Sequence, residues 1–112
     1  MQPNFSTAIS TGEHETRVYL RGELDVQSSP ALDGVLASAL AAGLPIVIDC
    51  AGLSYCDSFG IRSVLTAGLR AQRESIELRI VNADARVRLI LEASDQDRGL
   101  QGGWGATATL SK

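Results

Sequence analysis

A strand, a loop and a helix are predicted in succession by IVIDCAGLSYCDSFGI, the segment from Ile46 to Ile61. The β-branched run at its start is typical of a buried strand, and the small and polar residues from Asp49 to Asp57 predict a loop. Apolar residues then recur at helical spacing. Asp57 is predicted to cap that helix, which places the Ser58 hydroxyl in its first turn. Ligands of open α/β sheets bind at this carboxyl end of the strands.

Two strands and a helix are predicted before this segment. Phe5–Ile9 and Arg17–Leu24 alternate apolar with polar residues around a polar turn, which favours an antiparallel hairpin. Ser29 is predicted to cap the following helix, and Gly43 is predicted to end it. His14, the single histidine of the sequence, falls in the polar turn, where we expect it to be solvated.

One more strand and one more helix are predicted after the Ser58 helix. Ile76–Val81 alternates like a strand near the edge of a sheet, and Asp84 is predicted to cap a helix with an inward apolar stripe. Residues 94–112 lack such a pattern and are predicted to be a mobile, glycine-containing tail. Residues 1–93 are therefore predicted to form a single α/β domain. Its mixed sheet has an opening antiparallel hairpin, then parallel strands, with packed helices.

The composition is that of a small globular domain. The chain has 112 residues, of which 45% are hydrophobic and 21% charged, with a net charge of -3. This acidic balance argues against nucleic acid or a membrane as a direct partner. Without a segment of membrane-spanning length or a recognisable signal peptide, we expect a cytoplasmic protein. Cys50 and Cys56 are predicted to be buried thiols, with a redox pair as the alternative, and no metal or cofactor is predicted.

Four separated motifs resemble the STAS domain of bacterial anti-sigma factor antagonists. They are Gly22–Asp25, Ser29–Pro30, Ile46–Asp49 and Asp57–Gly60, in the family's order and spacing over roughly residues 5 to 93. The resemblance implies a protein that is not an enzyme but binds an anti-sigma factor, usually a serine kinase, and so releases a sigma factor. It also implies that the kinase phosphorylates Ser58 and abolishes binding, and that a phosphatase acting on phospho-Ser58 restores it.

This resemblance predicts a partner-binding surface around Ser58. Its expected contacts are Asp25, Ser29, Asp57, Ser58, Phe59, Gly60 and Arg62. Asp25 and Asp49 are interpreted either as loop hydrogen-bond acceptors or as partner contacts. Phe59 stands where the family often has a second serine, so the surface is more apolar here. Two alternatives stay open: a phosphorylation-independent STAS scaffold, or a small-ligand-binding module in a larger signalling complex.

An enzyme is the remaining class of function. Ser58 lacks the Gly-x-Ser-x-Gly surroundings of a hydrolase nucleophile, and the one histidine is distant in sequence. Asp49 or Asp57 as a phospho-acceptor would need an acidic cluster for magnesium, which the first two strands do not supply. The sequence has no glycine-rich phosphate loop with lysine, so we expect ATP to be bound by the partner. These residues favour a binding protein.

Overall fold

The computed structural model describes residues 4–97 and 108–110. In chain order the elements are β1 (Phe5–Thr11), β2 (Thr16–Leu24), α1 (Ser29–Ala42), β3 (Ile46–Cys56), α2 (Ser58–Arg73), β4 (Leu78–Val81), α3 (Ala85–Asp97) and β5 (Ala108–Leu110). The predicted α/β class and the predicted order of elements as far as α3 are confirmed.

The described strands form one mixed sheet in the order β1-β2-β3-β4-β5. β1 pairs antiparallel with β2, as the predicted hairpin requires. The remaining neighbours, from β2 to β5, are all parallel. β4, predicted near the edge of the sheet, has β5 on its outer side, with Leu78 opposite Ala108. The opening hairpin followed by parallel strands is therefore confirmed.

The chain after residue 93 departs in part from the prediction of a tail. α3 continues to Asp97, and Ala108–Leu110 adds a strand to β4. A strand of three residues is too short to show the alternation of apolar and polar side chains by which strands are predicted. The predicted mobility of residues 98–107 and 111–112 falls outside the described residues and stays a prediction.

β3 is longer than the sequence predicts. The segment from Asp49 to Cys56 was expected to be a loop, yet it continues the strand and stays parallel to β2. The β2–β3 register shifts between Tyr19 and Arg21, so the side-chain alternation of the pair is broken there. This irregularity explains why the second half of β3 lacks the period of two on which strand prediction depends.

The core lies between one face of the sheet and the helices. It combines alternate residues of the strands, among them Val18, Leu20, Ile46, Ile48, Leu78 and Ile80, with the inward stripes of all three helices. The alternating residues of the same strands, such as Tyr19 and Asp49, point to the opposite face. Within the described residues, no helix combines the length and the apolar character needed to cross a membrane.

The helix caps agree with the sequence at three positions and differ at one. Gly43 ends α1 in the left-handed conformation, with φ 77°. The Asp84 carboxylate accepts the amide of Val87 at 2.9 Å, as predicted for the start of α3. The N-cap of α1 is Ser28 rather than the predicted Ser29, because the Ser28 carbonyl closes the first turn by accepting the amide of Leu32 at 3.3 Å. The Ser28 hydroxyl makes no cap bond, since it is bonded within the preceding loop. The third agreement, at Asp57, belongs to the candidate site.

Candidate functional site

The predicted cap of α2 is present and fixes the position of Ser58. Asp57 has an extended backbone, and its Oδ1 accepts the amide of Gly60 at 2.8 Å. Its carbonyl oxygen accepts the amide of Ile61 at 3.0 Å, which closes the first helical turn. Ser58 is therefore the first residue of α2, and its side chain is exposed to solvent at the helix N-terminus.

Gly60 holds this helix N-terminus against the end of β2. A Cβ atom at Gly60 would lie 2.4 Å from the carbonyl oxygen of Leu24 and 2.8 Å from the amide nitrogen of Asp25. The amide of Asp57 donates to the same Leu24 carbonyl at 3.2 Å. Gly60 is buried and positions the helix that carries Ser58, while its contact with a partner stays a prediction.

The loop before α1 is built around Asp25. Its Oδ1 accepts the backbone amides of Gln27 at 3.0 Å and Ser28 at 3.1 Å, while the Asp25 amide donates to the Ser28 hydroxyl at 2.9 Å. Of the two interpretations of Asp25, loop hydrogen bonding is the one that the structure supports. Ser29 links this loop to α2, since its carbonyl accepts the Ser63 hydroxyl at 3.3 Å.

Exposed apolar side chains belong to the segments around Ser58. Val26 is 63% exposed, Phe59 58% and Tyr55 46%. We call Val26, Tyr55, Ser58, Phe59 and Arg62 the Ser58 surface. The sequence identified Phe59 but missed Val26 and Tyr55, because a single apolar residue in a loop or at a strand end has no periodicity to reveal that it is exposed. Large exposed apolar side chains mark surfaces used for association when they are grouped.

A groove between α1 and α2 continues this surface. It has a volume of about 360 Å³, and Ser29, Asp33, Arg62, Thr66 and Arg70 are among the residues that line it. Arg62 lies one helical turn after Ser58 and is exposed. The structure thus places Ser29, Phe59 and Arg62 where a partner can reach them, whereas Asp25, Asp57 and Gly60 are engaged in holding the local backbone.

The single histidine lies far from Ser58. His14 is in the turn before β2, at the end of the strand opposite to Leu24, and its side chain is 94% exposed. Nine residues of strand separate the two ends by roughly 30 Å. Because Ser58 is held against the Leu24 end, His14 cannot act as its general base. Ser58 and His14 therefore do not form a nucleophile pair.

Asp49 is enclosed by hydrogen-bond donors on the sheet face opposite the helices. Its carboxylate accepts the Asn82 side-chain amide at 3.0 Å, the Ala51 backbone amide at 3.0 Å and the Arg17 guanidinium at 3.2 Å. Burial opposes ionisation, but these bonds together outweigh it and lower the pKa of Asp49. Loop and sheet bonding therefore account for Asp49. The described residues hold no cluster of His, Cys, Asp or Glu suited to a metal ion.

Both cysteines are buried free thiols, as predicted. Burial is the main reason why the pKa of each is raised to about 12, and the neighbouring Asp57 adds to the effect at Cys56. A thiol needs to ionise before it acts as a nucleophile or a metal ligand. At neutral pH these two side chains therefore pack as small apolar groups.

The family of the chain follows from its match to a family model. The model described as "Mlab, STAS domain" matches residues 7–102. No curated protein sequence matches the chain. Among solved structures, an anti-sigma factor antagonist from Mycobacterium paratuberculosis is similar with a TM-score of 0.65 and 20% identity, over 83% of this chain and 81% of that chain.

Two further solved structures share the fold. SpoIIAA, an anti-sigma factor antagonist in its unphosphorylated form, has a TM-score of 0.65 and 20% identity, over 85% of this chain and 100% of that chain. A variant of RsbS from Moorella thermoacetica has a TM-score of 0.69 and 20% identity, over 95% and 87% of the two chains. The family model spans most of the sequence and the fold agrees with it, so this chain belongs to the STAS domain family.

Proposed function

We propose that this chain is an anti-sigma factor antagonist that binds its partner through the Ser58 surface and is switched off by phosphorylation of Ser58. The partner is an anti-sigma factor with serine kinase activity, whose capture releases a sigma factor in the cytoplasm. A phosphatase acting on phospho-Ser58 restores binding, and the chain itself catalyses no reaction. The observation that carries the proposal is a reachable serine at a helix N-terminus, beside the exposed side chain of Phe59.

A kinase can reach Ser58 without unfolding the domain. The side chain is exposed, and its hydroxyl makes no hydrogen bond to any of the described residues. The carboxylate next to it, on Asp57, is occupied by the amide of Gly60. Phosphoryl transfer to Ser58 therefore breaks no contact that the described part of the fold depends on.

The domain itself tolerates the phosphate. A helix N-terminus presents unpaired amides and a partial positive charge, which favour an anion. Arg62, one turn along α2, lies on the same side of the helix and is within the reach typical of an i, i+4 ion pair. We therefore expect phosphorylation to leave the fold intact and to act on the interface alone.

The phosphate on Ser58 weakens the complex with the partner. Phosphorylation adds about 1.5 to 2 negative charges at neutral pH. Beside Phe59, the natural apolar anchor of the Ser58 surface, that charge has to be desolvated when the partner docks. Pairing with phosphate also withdraws Arg62 from the partner. Each effect weakens the complex without any change of shape in this chain.

The test compares four proteins for their affinity to candidate anti-sigma factors by titration calorimetry. Ser58→Ala is expected to bind like the unmodified chain, whereas Ser58→Asp is expected to bind at least about tenfold more weakly, which is about 1.4 kcal/mol. Ser38→Asp is the charge control, because Ser38 is exposed on α1 and outside the Ser58 surface. Equal affinities of the two Ser58 variants would instead favour a phosphorylation-independent scaffold.

A further inference from the structure

β1 is an outer strand of the sheet formed by the described residues, and its own seven residues carry none of the usual edge protection. Phe5–Thr11 reads FSTAIST, which contains no charged residue, proline or glycine. Its outer side faces no other strand among the described residues. Ile9 is 44% exposed. Soluble proteins normally guard such an edge with lysine, proline or a bulge, because it is a template for pairing with another strand. Phe5–Thr11 contains none of these guards, so this edge is open to pairing with another strand.

Two backbone hydrogen bonds reveal which peptide groups of β1 face outward. The amide of Glu23 donates to the Asn4 carbonyl at 2.7 Å, and the amide of Gly12 donates to the Glu15 carbonyl at 2.9 Å. Extended by one residue at each end, the β1–β2 register pairs Asn4 with Glu23 and Gly12 with Glu15. Both are therefore hydrogen-bonded pairs, and in each the residue on the β1 side has an even number. Because an antiparallel ladder alternates, the outward amides and carbonyls belong to Phe5, Thr7, Ile9 and Thr11.

We propose that two copies of this chain associate through β1, as antiparallel strands about a two-fold axis at Ala8. This register pairs Phe5 with Thr11 and Thr7 with Ile9 of the second copy, and it is the one that engages every outward peptide group. About eight backbone hydrogen bonds result. Ala8 then faces Ala8 of the second copy in a non-hydrogen-bonded pair, where the Cα atoms approach to about 4.5 Å and small side chains fit.

The side chains of β1 suit pairing with β1 of a second copy of this chain. In this register the half-exposed Ile9 is covered by Thr7 of the second copy, a pair of β-branched residues suited to cross-strand contact. On the opposite face Ser6 meets Ser10, so no like charges are opposed. A two-fold interface needs a self-complementary surface, and FSTAIST provides one. The inference is independent of the proposed function, since no residue of the Ser58 surface lies in β1.

The first experiment measures the mass of the protein in solution by sedimentation equilibrium over a wide range of concentrations. We expect a concentration-dependent dimer. Ala8→Lys places two lysines opposite each other at the axis and is expected to raise the dissociation constant at least about tenfold. Ser38→Lys adds the same charge on the exposed surface of α1 and is expected to leave it unchanged. A monomer at every concentration overturns the proposal, as does a dimer that Ala8→Lys leaves intact.

The register is tested by a pair of double variants that do not depend on Ala8. Ser6→Glu with Ser10→Lys creates two attractive cross-strand pairs in the proposed dimer, so it is expected to tighten it. Ser6→Lys with Ser10→Lys creates repulsive pairs and is expected to weaken it. Circular dichroism verifies that each variant is folded. Equal dissociation constants for the two double variants would contradict the register.

Hydrogen exchange gives an independent readout on the unmodified chain. At high protein concentration the outward amides, those of Phe5, Thr7, Ile9 and Thr11, are expected to exchange more slowly. The inward amides of Ser6, Ala8 and Ser10 are already bonded to β2, so their rates are expected to stay the same. Protection that is equal on both sets, or that appears elsewhere in the chain, would overturn the proposed interface.

Discussion

Gly60→Ala tests directly how the helix that carries Ser58 is seated. The added methyl carbon would lie 2.4 Å from the Leu24 carbonyl oxygen and 2.5 Å from its carbon. An ordinary contact between such atoms is about 3.5 Å. Because the obstructing atoms belong to the backbone of β2, no side-chain rotation relieves the overlap. The start of α2 and the end of β2 therefore have to separate by about 1 Å.

The expected cost follows from two opposing effects. Overpacking of this kind typically destabilises a protein by about 1–3 kcal/mol, and a clash with backbone belongs at the upper end. Replacing glycine by alanine inside a helix stabilises the helix by about 1 kcal/mol, which offsets part of this cost. We therefore expect Gly60→Ala to lower the free energy of unfolding by about 2 kcal/mol, with a fall in Tm of about 10 °C for a domain of this size.

The assay is urea unfolding followed by circular dichroism, with Gly34→Ala as the matched control. Gly34 lies within α1, and a Cβ there has no atom within 4 Å. The same substitution is therefore expected to stabilise the protein by about 0.5–1 kcal/mol. The two variants are thus predicted to shift stability in opposite directions. If Gly60→Ala is as stable as Gly34→Ala, the contact with Leu24 does not seat the helix as described.

Three further predictions concern side chains around the sheet and the site. The pKa of Asp49 is lowered in the folded state, so its carboxylate stabilises the fold at pH values above the ordinary pKa of 3.8. This contribution is lost as the pH falls below 3.8. The difference in the free energy of unfolding between the unmodified chain and Asp49→Asn, measured by urea unfolding, should therefore shrink at low pH. Cys50 and Cys56 should react with a thiol reagent at pH 8 only on unfolding, at a rate that follows the unfolded fraction as urea is added. Phe59→Ala should leave Tm unchanged but weaken partner binding by about 2 kcal/mol, and a loss of Tm instead would make Phe59 a folding residue.

The parts of the fold that the sequence predicts are those with local signals. The apolar stripe of α2 repeats at every helical turn, and the Asp57 carboxylate caps the first turn. Both lie where the sequence predicts them. The β1–β2 hairpin follows from alternation on either side of a polar turn. The capping carboxylate of Asp84 is equally local. Each of these features depends on residues within about four positions of one another, so periodicity and cap chemistry suffice.

The parts that the sequence misses depend on distant chain segments. The second half of β3 is held by its ladder with β2, and a register shift removes the alternation that would have marked it as a strand. Ala108–Leu110 becomes a strand because β4 offers it an open edge. The strands that pair with these segments are distant in sequence, so no local pattern predicts the pairing.

The candidate site shows the same division. Ser58 and Phe59, both within the motif, are exposed, but the motif does not separate exposed residues from those that shape the backbone. Gly60 belongs to the second kind, because the space that it leaves empty is what admits Leu24. Val26, in the loop after β2, and Tyr55, near the end of β3, are exposed without belonging to any motif, and only the structure reveals their exposure.

Intact mass spectrometry of the chain after incubation with candidate anti-sigma kinases and ATP shows whether Ser58 is the phosphorylated residue. We expect the gain of a single phosphate that is absent in Ser58→Ala and retained in Ser54→Ala, a variant of a second exposed serine. We also expect that the phosphorylated chain no longer binds the kinase that modified it. A phosphate that persists in Ser58→Ala, or a phosphorylated chain that binds as tightly as before, would contradict the proposed switch.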